Sequence, residues 1–159
     1  MEDVNASVES SRAPAGRALG IDLGAVRIGL ALADPTRTVA SPHSVLMRSR
    51  DHASDHRAIL DLVQAEEVTA IVVGLPLSLS GASGPAARAA ETEIEELREV
   101  VGSGIEVLAH DERLTTITAE RSLGNARMSR SQRRAVVDKV AAAVMLQSWL
   151  DRSSQQARR

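Results

Sequence analysis

The chain has 159 residues, a net charge of −2 and no cysteine. This length fits one domain, and the lack of cysteine excludes a disulfide framework and a thiolate metal site. With one Trp and no Phe or Tyr, it cannot build the aromatic platforms on which many single-strand binders stack bases. No apolar run approaches the ~20 residues of a membrane span, so no membrane partner is expected. Any binding to nucleic acid must therefore depend on phosphates, shape and a local basic patch.

The amino-terminal part of the chain predicts a tail followed by three strands. Ser, Ala and Glu dominate residues 1–16, which is typical of a disordered tail, and no secretory signal is present there. The short apolar runs 17–23 and 27–33 are separated by a tight connection and predict a hairpin. A third strand is expected within 37–47, interrupted by Pro42.

The middle of the chain alternates between helical and strand patterns. A helix is predicted over 53–66, and the continuous apolar run 69–75 is typical of a buried parallel strand. A second helix is expected to begin near Pro85 and to end before Gly102. A further strand is predicted over 105–109.

The carboxyl-terminal third predicts two more helices. Thr115 or Thr116 can cap a short helix that ends at Gly124. A capping box at Ser129 begins a last helix that runs to about Leu150. Hairpin strands followed by alternating helix and strand predict the α/β class, with a mixed sheet, antiparallel strands at one side and helices on both faces.

The first candidate for chemistry is Asp22, at the end of the first predicted strand. Alternate residues of a strand share a face, so Asp22 lies with Ala18 and Gly20 and away from the larger Ile21. These small neighbours leave room for a ligand, and Gly24 lets the backbone turn sharply and approach a phosphate. The alternative is that Asp22 only stabilises the hairpin turn.

A second candidate is the charged segment His110-Asp111-Glu112-Arg113, which follows the predicted strand 105–109. In open α/β sheets, ligands bind at the carboxyl ends of strands, so Asp111 or Glu112 is well placed for a site. The alternative is a polar loop whose threonines cap the next helix and whose acids favour the helix dipole.

The third candidate, Asp138, lies inside the last predicted helix. Helical spacing places it on one stripe with Ala142, Met145 and Trp149, a face that should be packed. A buried carboxylate is costly unless it is compensated. A metal, a raised pKa or Arg134 one turn earlier could each provide that compensation.

Separated acids beside small or apolar neighbours are what a hard divalent cation requires. Mg²⁺ and Mn²⁺ prefer carboxylate, water and phosphate oxygens. Two such ions can stabilise the attacking and leaving oxygens of phosphodiester hydrolysis, with no need for a histidine nucleophile. Asp22, Asp138 and an acid of the 111–112 pair therefore predict a metal-dependent nuclease.

A basic cluster lies next to the third acid. Residues 121–139 contain six basic side chains against the single acid Asp138. The basic residues are Arg121, Arg127, Arg130, Arg133, Arg134 and Lys139. They could hold a phosphate backbone, or they could form only the solvated start of a helix.

Taken together, these motifs resemble the YqgF (RuvX) family of RNase H-like proteins, relatives of the Holliday-junction resolvases. The matching stretches occur in family order: GIDLGAVRIGLALAD, IVVGLPLSLSG, IEVLAHDERLTT and VDKVAAAVMLQSWL. The resemblance covers residues 17–151, taken as the nuclease domain, and leaves 1–16 and a polar tail at 152–159 outside it. It implies an RNase H-like fold with a five-stranded mixed sheet. Lys139 departs from the family pattern, in which a small residue is expected after Asp138.

The resemblance also implies a function and a site. The catalytic and metal-binding residues become Asp22, Glu112 and Asp138, with Mg²⁺ or Mn²⁺ as cofactor and a cytoplasmic location. The implied activity is maturation of the 5′ end of pre-16S rRNA, with a ribosomal precursor as partner. The candidate nucleic-acid-binding residues are Arg27, Arg113, Arg127, Arg130, Arg133 and Arg134.

Three other functions are compared with this one. A resolvase that cleaves branched DNA would need a homodimer to cut two opposed strands, whereas an RNA endonuclease could act as a monomer. An ATP-binding protein of the actin and sugar-kinase type needs two such domains, and 159 residues is too short. A non-catalytic RNA- or ribosome-associated factor is the third alternative, and the three acids argue against it, because binding phosphates alone would not favour acidic side chains.

Overall fold

The computed structural model describes residues 16–78, 80–113 and 128–159. The predicted tail up to residue 15 and the predicted short helix between Thr115 and Gly124 lie outside these ranges. Within them the secondary structure consists of five strands and three long helices. In chain order these are β1 (Arg17–Leu23), β2 (Arg27–Ala33), β3 (Ala40–Met47), α1 (His52–Ala65), β4 (Val68–Leu75), α2 (Pro85–Val101), β5 (Glu106–Asp111) and α3 (Arg130–Ala157).

The strands form one mixed sheet in the order β3-β2-β1-β4-β5. β1 pairs antiparallel with β2, and β2 with β3, because short connections join consecutive strands. β4 pairs parallel with β1 and with β5, because each of these parallel pairs is connected through a helix. The predicted α/β fold with an antiparallel side is confirmed.

The edge strand β3 differs from its prediction at Pro42. The strand runs through the proline without a break, but its register with β2 shifts there. Leu30 pairs with Ser44, whereas Ala31 pairs with Pro42, so His43 is the extra residue of a bulge. A proline is tolerated because an edge strand does not need every backbone N–H for pairing.

The helices begin where the sequence predicts. Pro85 is the first residue of α2, after Gly84. At α3, the Ser129 hydroxyl accepts a hydrogen bond from Gln132 N at 3.1 Å, and the Gln132 side chain accepts one from Ser129 N at 3.0 Å. This helix continues to Ala157, past its predicted end near Leu150. No helix in the described part of the chain is long and apolar enough to cross a membrane.

The two faces of the sheet have cores of different character. Large aliphatic side chains fill the face beneath α1 and α2, among them Leu19, Ile21 and Ile71. The face beneath α3 is lined mainly by alanines and valine of the sheet, so this helix lies close to the strands. At Gly20 a Cβ would be 2.8 Å from the Cβ of Leu146, which shows how close the approach is. Small residues therefore let α3 bring its polar residues near the sheet.

Candidate active site

Asp22 lies at the carboxyl end of β1, on the face covered by α3. It pairs with Gly29 across the antiparallel hairpin. On its other side, the parallel pairing of Ile21 with Val73 places Asp22 beside Gly74. The two cross-strand neighbours of Asp22 are therefore glycines, and they leave open space on both sides of its side chain.

Glu112 occupies the space above one of these glycines. Its backbone N–H donates to the carbonyl of Leu75 at 3.2 Å, which extends the pairing of β4 and β5 by one residue. A Cβ at Gly74 would overlap the Glu112 carboxyl group, so the glycine is required for this position. Glu112 and Asp22 share a side-chain hydrogen bond. A carboxylate can only accept, so one of the two carries the proton.

Asp138 approaches from α3, above the other glycine. A Cβ at Gly29 would overlap the main-chain carbonyl oxygen of Asp138. The Asp138 carboxylate accepts a hydrogen bond from Arg27 Nε at 2.7 Å, and the exposed fractions of the two side chains are 28% and 17%. Sequence analysis offered a metal, a raised pKa or Arg134 as compensation for the Asp138 carboxylate. In the structure Arg27 pairs with this carboxylate, and Arg134 is exposed. Arg27, predicted to bind nucleic acid, is held by Asp138.

The electrostatics of Asp22 and Glu112 differ from those of surface carboxylates. Burial raises the pKa of Asp22, and the negative charge of Asp138 raises it further, against the opposing effect of its hydrogen bond with Glu112. Burial, together with the charge and hydrogen bond of Asp22, raises the pKa of Glu112 to about 8. Without a cation, the pair therefore retains a proton near neutral pH.

Asp111 and Glu112, the two neighbouring candidates, have different partners. Asp111, the last residue of β5, accepts hydrogen bonds from Arg113 Nε at 2.6 Å and from its backbone N–H at 3.0 Å. The structure thus brings Glu112 to Asp22 and binds Asp111 to Arg113. Arg113, another predicted nucleic-acid contact, is partly exposed, with an exposed side-chain fraction of 37%.

The remaining arginines of the basic cluster surround the start of α3. Arg130, Arg133 and Arg134 are exposed in its first two turns, and Arg134 precedes Asp138 by about one helical turn. Arg127 lies outside the described residues. Exposed positive side chains therefore begin about one helical turn from Asp138.

The three acids, named here the carboxylate site, suit a hard divalent cation. All three side chains offer oxygen, which is the donor that Mg²⁺ and Mn²⁺ prefer. Gly29 and Gly74 have no side chains of their own, which leaves room for the Asp138 backbone and for the Glu112 carboxyl group beside Asp22. A cation there would replace the proton that Asp22 and Glu112 share, because it relieves the same repulsion.

Sequence reasoning missed the two glycines and the role of Arg27. Gly29 and Gly74 stood in recognised motifs, but each gains its importance from lying next to Asp22 in the sheet. The strand register supplies that information, and no local pattern does. Arg27 shares the Asp22 face by alternation along β2, which was the available signal for an ion pair at this site.

Comparison with known proteins agrees with the predicted family. A family model described as "RuvX: Holliday junction resolvase" matches residues 16–152. The chain belongs to the RuvX family. It is 43% identical over 136 residues to a "Putative pre-16S rRNA nuclease" of Roseiflexus sp. (strain RS-1), covering 86% of this chain and 94% of that protein. A Rhodococcus opacus (strain B4) protein of the same name is 44% identical over 142 residues, covering 87% and 79%.

Solved structures agree on the fold. RuvC of Thermus thermophilus in complex with a Holliday junction substrate has a TM-score of 0.53 at 14% sequence identity, covering 87% of this chain and 96% of that one. This RuvX-family chain therefore has the RNase H-like fold, with the five-stranded mixed sheet that its motifs implied.

Proposed function

We propose that this chain is a metal-dependent endonuclease whose catalytic residues are Asp22, Glu112 and Asp138, and whose favoured substrate is the 5′ region of precursor 16S rRNA. The nuclease class follows from the family, and the substrate from the names of its relatives. The proposal includes a cytoplasmic location, a ribosomal precursor as the physiological partner, and a chain that acts as a monomer or a homodimer.

The observation that carries the proposal is the convergence of the three acids: Glu112 lies over Gly74 and Asp138 over Gly29, on either side of Asp22, and Glu112 shares a hydrogen bond with Asp22. Purely structural carboxylates are normally paired with cations, because forcing acids together in a buried place is unfavourable. The arrangement is favourable once a divalent cation binds. It therefore supports cation binding over a packing role.

The chemistry divides between the cation and the chain. Mg²⁺ or Mn²⁺, proposed as a pair held by the three acids, would stabilise the attacking and leaving oxygens of the phosphodiester. Arg27 fixes the orientation of the Asp138 carboxylate through its 2.7 Å hydrogen bond. Glu112, with a pKa raised to about 8 without metal, can release a proton near neutral pH as the cation binds. The exposed arginines of α3 would hold the neighbouring phosphates.

A second candidate is a homodimeric resolvase of branched DNA, which the description of the matched family favours. We expect a direct comparison to separate the two. The purified chain is incubated with pre-16S rRNA and with a four-way DNA junction, each with Mn²⁺ and with chelator. Faster, Mn²⁺-dependent cleavage at the rRNA 5′ region supports the proposal. Paired cuts in the junction by a dimer, with intact rRNA, would identify a resolvase. Binding of either substrate without cleavage would indicate a non-catalytic factor.

Replacing Arg130, Arg133 and Arg134 together with glutamine is expected to weaken nucleic-acid binding and to reduce its salt dependence. Each lost phosphate contact lowers the slope of log affinity against log salt by about 0.7 to 0.9. Binding is measured in a salt series by fluorescence anisotropy.

The matched control removes the same charge from the other side of the molecule. Its three residues are exposed and lie on or just before α1 and α2: Arg50, Arg57 and Arg88. The control variant should retain the wild-type slope. If the slope of log affinity against log salt were the same in the α3 variant and in the control variant, the start of α3 would be only a solvated surface.

A further inference from the structure

We propose that His52, His56 and Glu93 form a Zn²⁺ site between α1 and α2, on the sheet face opposite the carboxylate site. We call it the histidine site. It is independent of the proposed nuclease function, and its ligands are nitrogen and oxygen rather than oxygen alone. Among the described residues it is a group of three potential ligands whose ligand atoms all lie within 4.8 Å of one another.

The backbone brings these ligands together. His52 is the first residue of α1 and His56 lies one turn later, so the two imidazoles share one face of the helix. Glu93 faces them from α2. Its carboxylate accepts a hydrogen bond from His56 Nε2 at 3.2 Å and lies 4.0 Å from His52 Nε2, so a bound ion would take the place of the His56 Nε2 proton. Small side-chain rotations would bring all three to the roughly 2.0–2.2 Å of zinc bonds.

A second carboxylate orients the outer histidine. His52 Nδ1 lies 2.7 Å from Glu96 Oε2. Since a carboxylate only accepts, Nδ1 is the donor, and in the neutral ring Nε2 then carries the lone pair. That lone pair lies on the side of Glu93. A carboxylate bound to the far nitrogen of a histidine is the arrangement that orients many metal-binding imidazoles.

The charges around the site also favour a cation. Arg48 donates to both oxygens of Glu93, at 2.6 and 2.9 Å. Burial would raise the pKa of Glu93, but the hydrogen bonds and charge of Arg48 outweigh it and lower the pKa, so this ligand is ionised. Arg48 pairs with Asp55 and Glu93, while Glu96 pairs with His52, so the cluster contains three carboxylates and one guanidinium. The cluster therefore has a negative balance that one divalent ion would neutralise.

The ligand set selects the metal. Imidazole suits Zn²⁺ and poorly suits Mg²⁺, which prefers oxygen. Two histidines and one glutamate are three protein ligands, which leaves a fourth position of a tetrahedral ion for water. The exposed fraction of the His52 side chain is 52%, so the ion can enter from solvent, while His56 and Glu93 are buried.

The test uses the full chain at mildly alkaline pH, because the hydrogen bond that His52 donates to Glu96 raises the pKa of His52. Zn²⁺ is titrated while the ring nitrogens of the four histidines are followed by NMR. The resonances of His52 and His56 should shift and return with chelator, whereas those of His43 and His110 should not. Zn²⁺ should raise thermal stability more in the wild type than in His52→Ala, whereas Mg²⁺, which prefers the oxygens of the carboxylate site, should raise it equally in both.

Two variants make the test specific. His52→Ala should abolish the Zn²⁺-induced shift of His56, and it should fold because His52 is half exposed. Glu96→Gln should weaken Zn²⁺ binding by about 10- to 100-fold, the usual effect of removing such an orienting group. His43→Ala is the control, since His43 has one carboxylate nearby, Glu66 at 4.0 Å. The proposal would be overturned if Zn²⁺ shifted the His56 resonances equally in His52→Ala and in the wild type, or if it caused no shift in the wild type. The cluster would then be only an ion-pair network between the helices.

Discussion

Replacing Asp22 with asparagine is expected to abolish metal-dependent cleavage while leaving the domain folded. The substitution keeps the size of the side chain but removes a ligand charge from the centre of the carboxylate site. Loss of at least about a thousandfold in rate corresponds to about 4 kcal/mol of barrier. Cleavage of the preferred substrate is measured with Mn²⁺ at saturating concentration, and circular dichroism verifies the fold.

The same variant should change how stability depends on pH in the metal-free protein. The pKa of Glu112 is raised from 4.5 to about 8, so the folded state favours its protonated form. This contribution is fully present below pH 4.5 and is lost as pH rises through about 8. The wild-type melting temperature in chelator should therefore fall over this range. In Asp22→Asn the decline should be shallower, because the charge that opposes ionisation of Glu112 is gone.

Asp61→Asn is the matched control for this prediction. Asp61 is exposed on α1, on the opposite face of the sheet. Its substitution should leave both cleavage and the pH dependence of the melting temperature unchanged. Undiminished cleavage by Asp22→Asn would rule out the proposed site, even if the nuclease activity of the chain were real.

Replacing Gly29 with alanine is expected to destabilise the fold and reduce cleavage together. The new Cβ would overlap the Asp138 carbonyl oxygen and lie 3.2 Å from the amide nitrogen of Lys139. Both atoms are helix backbone, so α3 must move away from the sheet. Such overpacking costs about 1–3 kcal/mol. The displaced helix would also withdraw the Asp138 carboxylate from Asp22 and Glu112.

Denaturant unfolding measures the change in stability, and cleavage at saturating metal measures the change in activity. Gly104→Ala is the control, because no atom lies within 4 Å of the Cβ position there. Its effect on stability should remain within about 0.5 kcal/mol, as for most surface substitutions. Wild-type stability and activity in Gly29→Ala would show that α3 does not depend on this close approach.

The sequence determined the fold class, and it singled out two of the three proposed acids, Asp22 and Asp138, from local patterns. Strand periodicity predicted the hairpin and the buried central strand, because local sterics and burial produce those patterns. The same alternation placed Asp22 among small residues, and helical spacing placed Asp138 on a packed face. Each of these two placements depends on the periodicity of a single strand or helix, so the sequence of that one element was sufficient to predict it.

The tertiary structure decided which groups meet. Arg27 and Asp138 are 111 positions apart, so their pairing depends on strand register and on how closely α3 approaches β2. The preference for Glu112 over Asp111 arises where β5 leaves the sheet above Gly74. The histidine site likewise needs the packing of α1 against α2. Long-range contacts of this kind depend on the whole chain folding, and no local pattern encodes them.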